Sequence, residues 1–306
     1  MLGRTLVLGT PGKLSIAHRQ LVFDGESGVK RTFPIEDLGF VIIESGQVLI
    51  TSTCLRGLSE QNVAVVICGS THMPLSQLLP FASNSTAQEI TEAQLVATPA
   101  MQGRLWRQII KAKLNNQAEV LELLGRPNVG RLRNLAEMVR NGDPANCEAQ
   151  GARLYFQGIG GVVEFSRDQD SEDILNSALN YGYAVLRAAV ARALIGSGLV
   201  CFRGIHHHNR YNSYCLADDI MEPYRPLVDL CVFGDMGPWG NFREEDLTPQ
   251  MKASLLKILT CDVQVDGNRR PLALAVSSTT ASLARYYLGK SKELILPELT
   301  RCSVRK

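Results

Sequence analysis

SEDILNSALNYGYAVLRAAVARALIGSG, residues 171–198, reads as one long helix, opened by Ser171 and closed by Gly196 and Gly198. The sequence on either side carries the same period. Upstream, AMQGRLWRQIIKAKLNNQAEVLELL (100–124) sets Leu105, Ile109 and Ala112, then Leu121 and Leu124, at helical spacing, with Gly125 as a C-cap. VGRLRNLAEMVRNG (129–142) places Leu132, Leu135, Met138 and Val139 on one face. Downstream, TPQMKASLLKIL (248–259) begins with Thr248 as N-cap and Pro249 at the first helical position. RPLALAVSSTTASLARYYLGK (270–290) is the last strong helical pattern.

Before about Thr91 the period is different. RTLVLG, KLSIAHRQLVFD, LGFVIIES, GQVLITS and NVAVVICG are short apolar or β-branched runs. They are separated by TPG, DGESG, ESG and RGLSE, which have turn chemistry. Leu14 and Ile16, then Leu21 and Phe23, carry the period of two of half-buried strands. PFASNSTAQEITE, rich in Ser, Thr and Asn, reads as a linker. The expectation is an α+β chain: a small N-terminal β-sandwich-like domain over 1–80, a linker over 81–95 and a larger α-helical domain over 96–306, without internal repeats.

Composition bounds the function. A chain of 306 residues can bury a full core, and 45% hydrophobic with 20% charged residues is globular usage. No apolar run reaches the roughly 20 residues that span a membrane. The opening MLGRTLVLGTPGKLSI has no basic region followed by a long apolar core, so no secretory leader is expected. The eight cysteines (54, 68, 147, 201, 215, 231, 261 and 302) show no zinc-finger spacing, and a cytosolic setting is expected. A net charge of +2 neither supports nor excludes a nucleic-acid partner.

Two stretches carry candidate chemistry. In GDPANCEAQGARLYFQG a short helix is expected with Asp143 as N-cap and Pro144 next, placing Glu148, Ala152 and Tyr155 on one face. Ala149, Gly151 and Ala152 would let another backbone approach. Glu148 is then either a carboxylate held by a cation on a packing face or an exposed acid favoured by the helix dipole. In GIHHHNRYNSYCLADDIMEPYRPLVD, Asn212 or Ser213 can cap a helix through the acids. Asp218 and Asp219 can each share the face of Glu222, and Pro223 kinks the chain there. The plainer reading is a solvated acidic turn with a Glu222–Arg225 surface pair and an exposed histidine loop. Carboxylates with one imidazole suit magnesium or manganese, whereas zinc favours more nitrogen or sulfur.

Taken together, these blocks resemble the CRISPR-associated adaptation integrase family, also described as a metal-dependent DNA endonuclease, with the type II branch nearest. EAQGARLYF (148–156), LNYGYAVLRAAVARAL (179–194) and GIHHHNRYNSYCLADDIMEPYRPLVD (204–229) carry the resemblance, and LWRQIIKAKLNNQ (105–117) is a weaker fourth block. The resemblance implies a Glu–His–acid site for Mg2+ or Mn2+. Its glutamate falls on Glu148, its acid before P-Y-R-P on Glu222, and its histidine, fifteen residues earlier, on His207. Asp219 matches a further acid that supports the site, and His206 and His208 are neighbours. Phe156 stands where the family often has Trp.

The chemistry implied is attack of a DNA 3′-hydroxyl on a phosphodiester of a CRISPR repeat, inserting a spacer; water in place of the hydroxyl gives hydrolysis. The implied partners are double-stranded DNA as spacer precursor and repeat array, a second copy in a homodimer built through the N-terminal domain, and a small ferredoxin-like bridging protein. The RNA-guided effector nuclease and a DNA-end-binding ring protein are implied for type II systems, and no membrane. Three other readings stand beside this one. A tyrosine recombinase would use His207 and Arg210 with Tyr211, Tyr214 or Tyr224; a zinc hydrolase would use the histidine triplet; a DNA-holding subunit would cut nothing. Arg104, Arg107, Lys111 and Lys113 on one helical stretch, Arg187 and Arg192 on another, with Arg210 and Arg225, are candidate phosphate contacts or ordinary solvated faces. The basic end RCSVRK would add charge without specificity.

Overall fold

The protein is described by a computed structural model, which covers residues 4–26, 28–70, 73–78, 84–160, 165–171, 173–234 and 247–299. The basic end and part of the 81–95 stretch lie outside these residues. Two compact units divide between Ser83 and Asn84.

The first unit runs β1 (Arg4–Leu8), β2 (Gly12–Ala17), β3 (Gln20–Gly25), β4 (Lys30–Pro34), β5 (Leu38–Ile43), β6 (Val48–Ile50), α1 (Ser52–Glu60), β7 (Ala64–Cys68) and β8 (Pro74–Leu78). One sheet has the order β1-β5-β7-β8 and the other β4-β3-β2-β6. The period-two residues pair across the β2–β3 hairpin, Leu14 opposite Phe23 and Ile16 opposite Leu21. Its two-residue turn, His18-Arg19, takes positive φ at both positions, the twist that antiparallel strands need. β5 pairs in parallel with both neighbours and is buried along its length, as its unbroken apolar sequence requires. Leu14, Leu21 and Phe23 from one sheet and Leu8, Leu38, Val41 and Val65 from the other share a core with Cys54 and Leu58. Those last two belong to α1, so RGLSE is the end of an amphipathic helix and not a turn.

The second unit runs α2 (Ala87–Leu95), α3 (Pro99–Leu123), α4 (Val129–Met138), α5 (Cys147–Ile159), α6 (Ile174–Gly196), α7 (Cys215–Met221), a 3-10 turn (Glu222–Tyr224), α8 (Arg225–Phe233), α9 (Pro249–Leu256), β9 (Asp262–Val265), β10 (Asn268–Pro271), α10 (Leu272–Tyr287) and β11 (Pro297–Glu298). Much of the expected linker is therefore helix. The buried Gln94 amide of α2 donates to the carbonyls of Val200 and Arg203, both at 3.0 Å, which fastens α2 to the segment after α6. The small antiparallel sheet β10-β9-β11 was not legible in the sequence. α6 starts on Asp173, whose carboxylate caps Leu175 and Asn176, while the Ser171 hydroxyl donates to that carboxylate and accepts from the Asp173 amide. Met138 is 58% exposed and lies off the buried stripe of Leu132 and Leu135. α3 packs against α4, α5, α8 and the 3-10 turn, and so forms the floor of the site.

Candidate metal centre

Each candidate side chain is placed by a local device. The Asp143 carboxylate accepts from the Cys147 and Glu148 amides, both at 2.9 Å. It caps α5 from outside the helix, which begins at Cys147 and not at Pro144. The buried Gly151 lets α5 close on α3: a Cβ there would stand 2.1 Å from Leu114 Cδ2. Pro223 interrupts the helical ladder as expected, so Glu222 sits in the 3-10 turn between α7 and α8. The Asn116 side chain of α3 donates to the Pro223 carbonyl at 2.8 Å and holds that turn down. Neither Asn212 nor Ser213 caps α7, which has Tyr214 at that position without a side-chain bond.

These devices bring Glu148 and Glu222 to one point. Lys113 Nζ lies 2.5 Å from Glu148 Oε1 and 2.6 Å from Glu222 Oε2. The two carboxylate oxygens are therefore within about 5 Å of each other. Arg225 Nε stands 3.0 Å from Glu222 Oε1. Burial alone would raise the Glu222 pKa, but the charges of Arg225 and Lys113 outweigh it and hold the carboxyl below its ordinary value. Burial pulls the Lys113 ammonium down, and the charges of Glu222 and Glu148 more than reverse it. The solvated acidic turn is thus overturned: Asp218, Asp219 and Glu222 are 5%, 0% and 6% exposed, and the Glu222–Arg225 pair is not a surface pair. A charge buried this far needs a partner, and each of these acids has one.

The histidine loop hangs on Asp219. Its carboxylate accepts from the amides of Ile205, His206 and His207 at 2.6, 2.9 and 3.2 Å. It also meets His207 Nδ1 at 2.5 Å. That bond raises the His207 pKa first of all, burial opposes it, and the nearby Glu222 charge adds to the rise. With Nδ1–H given to Asp219, Nε2 is the nitrogen left with a lone pair, the tautomer a metal-binding histidine uses. Asp218, by contrast, pairs with Arg187 at 2.7 Å and accepts from Asn212. The tertiary structure thereby separates two adjacent aspartates that spacing left equivalent.

The basic candidates divide. Lys113 and Arg225 are both turned into the carboxylate pair. Lys111 pairs with Glu137 at 3.0 Å, and Arg104 donates to the Tyr286 hydroxyl at 3.2 Å. Arg192 is partly buried, Arg107 is exposed, and Arg210 lies over the exposed Tyr211 ring. Tyr224 is fully buried and bonded to Thr279, which removes it as a nucleophile. The sequence did not single out Lys113 as a partner of the acids. Its signal was a lysine on the buried stripe of α3, between Ile110 and Leu114.

Among the described residues, no three His, Cys, Asp or Glu side chains already enclose a point where an ion would sit. Lys113 Nζ occupies the place between the two carboxylates and is a stand-in cation. Glu222 Oε2 is buried, with the Lys113 ammonium 2.6 Å away as its counter-charge. Two convergent carboxylates bridged by one cation, with an oriented imidazole close enough to feel the charge of Glu222, are a donor set of the kind a hard divalent ion takes.

Comparison with known proteins places the chain in a family. The family described as CRISPR associated protein Cas1 matches residues 6–258. The CRISPR-associated endonuclease Cas1 of Neisseria meningitidis serogroup C is 37% identical over 301 residues, covering 98% of this chain and 97% of that protein. CRISPR-associated endonuclease Cas1 1 of Pyrobaculum aerophilum is 31% identical over 237 residues, 72% of this chain and 77% of its own. Among solved structures, a casposase bound to integration product shares the fold with a TM-score of 0.79 at 23% identity, over 95% of this chain and 92% of its own. A Cas1 protein from Thermotoga maritima does so at 0.74 and 16%, over 94% and 98%. A chain of a Cas6-RT-Cas1–Cas2 complex does so at 0.71 and 20%, over 98% of this chain and 36% of its own.

Proposed function

Because this chain belongs to the CRISPR-associated Cas1 family, we propose that it is a DNA integrase and endonuclease that inserts spacers into a CRISPR repeat array and depends on Mg2+ or Mn2+. The observation that carries the reading is the meeting of Glu148 and Glu222, far apart in sequence, on one buried cation beside a histidine oriented by Asp219. The relatives named as endonucleases and the integration-product complex of the casposase support the reaction class.

In this reading Glu148, Glu222 and His207 are the residues that would hold the ion. Bound there, Mg2+ or Mn2+ supplies Lewis acidity at a phosphodiester and lowers the pKa of an attacking hydroxyl. Asp219 keeps the His207 imidazole in one tautomer and fixes its loop. Lys113 balances the two carboxylates when no ion is present. Arg225 stays on Glu222 and limits the negative charge of the site. In integration the 3′-hydroxyl oxygen forms a new phosphodiester as an existing P–O bond of the repeat breaks, so the number of esters is conserved. With water as the nucleophile the same site hydrolyses DNA, and no side chain needs to be covalently modified.

The reading extends to the assembly: a homodimer, bridged by a small ferredoxin-like protein of the Cas2 type and acting on double-stranded DNA. The Cas1–Cas2 complex among the structural neighbours supports the bridging partner. In a type II system the effector nuclease and the ring protein join it. Strand transfer tests the proposal. Short duplexes with free 3′-hydroxyls are mixed with a supercoiled repeat plasmid, with and without Mn2+ and the bridging partner. Joined product that needs the ion, the hydroxyl and His207 supports it. Ion-independent joining with DNA held covalently on the protein would favour the tyrosine recombinase, and DNA binding without joining in any arm would favour the holding subunit.

A further inference from the structure

The histidine triplet contains a second device beside His207. The His206 ring lies on the indole of Trp106, centroids 4.2 Å apart and planes only 5° from parallel. The His207 ring stands nearly perpendicular to both, 86° from Trp106 at 6.0 Å and 89° from His206 at 5.7 Å. Trp106 is 3% exposed and fixed in the body of α3, whereas residues 206–208 are exposed. An exposed histidine seated flat on a buried indole clamps a surface loop to a rigid helix.

The clamp complements what Asp219 provides. Asp219 fixes the loop backbone and one atom of the His207 ring, its Nδ1. A ring held by Cβ and one hydrogen bond can still tilt about the line joining them. The Trp106 and His206 rings, 6.0 and 5.7 Å from it, bound that tilt. Trp106 also stands seven residues before Lys113, two turns along the same face of α3. One helix therefore carries both the seat of the histidine loop and the lysine between the carboxylates.

We infer that His206, stacked on Trp106, is a positioning residue that holds the His207 imidazole in the orientation needed to bind the divalent ion. The inference rests on the metal site proposed above. It assigns the role to the flat ring and not to its nitrogens, so an aromatic hydrocarbon should replace it.

Mn2+ binding to the full-length protein without DNA, followed by isothermal titration calorimetry, tests this in wild type, His206→Ala, His206→Phe and His207→Ala, with circular dichroism confirming that each is folded. His206→Ala should weaken Mn2+ binding by about tenfold or more, the range for residues that orient metal ligands. His206→Phe should bind as wild type does. Equal loss in the Ala and Phe variants would put the effect in the ring nitrogens and overturn the inference, as would wild-type binding by His206→Ala. If His207→Ala binds Mn2+ like wild type, the metal reading itself fails and takes this inference with it. If His207→Ala loses binding while His206→Ala keeps it, only the positioning role falls.

Discussion

Lys113→Met tests the electrostatics of the site most directly. The substitution keeps an unbranched apolar stem and removes the ammonium that lies 2.5 Å from Glu148 and 2.6 Å from Glu222. Removing one partner of a buried ion pair costs about 3–5 kcal/mol. Here the lower end applies, because Arg225 remains on Glu222 and the Glu148 side chain is 32% exposed and can be hydrated. For a unit of this size about 3 kcal/mol corresponds to a fall in Tm of roughly 6–12 °C. A divalent ion should replace the lost charge. At a free concentration 100-fold above its Kd it contributes about 2.7 kcal/mol, close to the deficit. The assay is thermal denaturation of wild type and variant in EDTA and in Mn2+. The expected result is a large drop in EDTA and a rise with Mn2+ that is greater in the variant, since in wild type the ion must displace the ammonium. A variant as stable as wild type in EDTA, or one that Mn2+ stabilises less than wild type, would refute the reasoning.

Three further outcomes follow from the same geometry. Gly204→Ala places a Cβ 2.3 Å from the His207 carbonyl oxygen and 3.0 Å from Asp219 Oδ2, so the loop must shift; a cost of about 1–3 kcal/mol in urea unfolding and loss of DNA joining are expected. Asp219→Ala strips the acceptor from three amides and from the His207 ring. Destabilisation by about 3 kcal/mol is expected, with Mn2+ binding measured by calorimetry weakened at least tenfold. Asp229, 1% exposed, is pushed by burial to a pKa of about 6 despite hydrogen bonds from Tyr183 and Tyr155. Its folded value lies above the unfolded one of about 3.9, so the folded state binds more protons between them and stability falls as pH rises through that window, by about 3 kcal/mol in all. In Asp229→Asn this part of the decline between pH 4 and pH 7 should vanish from urea-unfolding curves.

The sequence by itself determined the succession of elements. Residues that repeat every second position in 4–69 or at helical spacing after Thr91 record which face of each element meets a core, and that record is local. Thr248 and Pro249 fixed the start of α9 for the same reason: cap chemistry acts within one turn. Pro223 announced its kink. The motif blocks also singled out Glu148, His207, Asp219 and Glu222.

Only the tertiary structure decided what those residues do to one another. Spacing allowed either Asp218 or Asp219 to serve the site, and the choice was made by what each faces, Arg187 for one and the histidine loop for the other. Lys113 looked like one more cation on a basic helix until Glu148 and Glu222 closed on it. α2 looked like a linker because its anchors, the carbonyls of Val200 and Arg203, lie more than a hundred residues away. Periodicity registers how a residue relates to its own helix or strand, whereas an ion pair, a stacked ring or a buried amide is fixed by the meeting of segments that the sequence keeps apart.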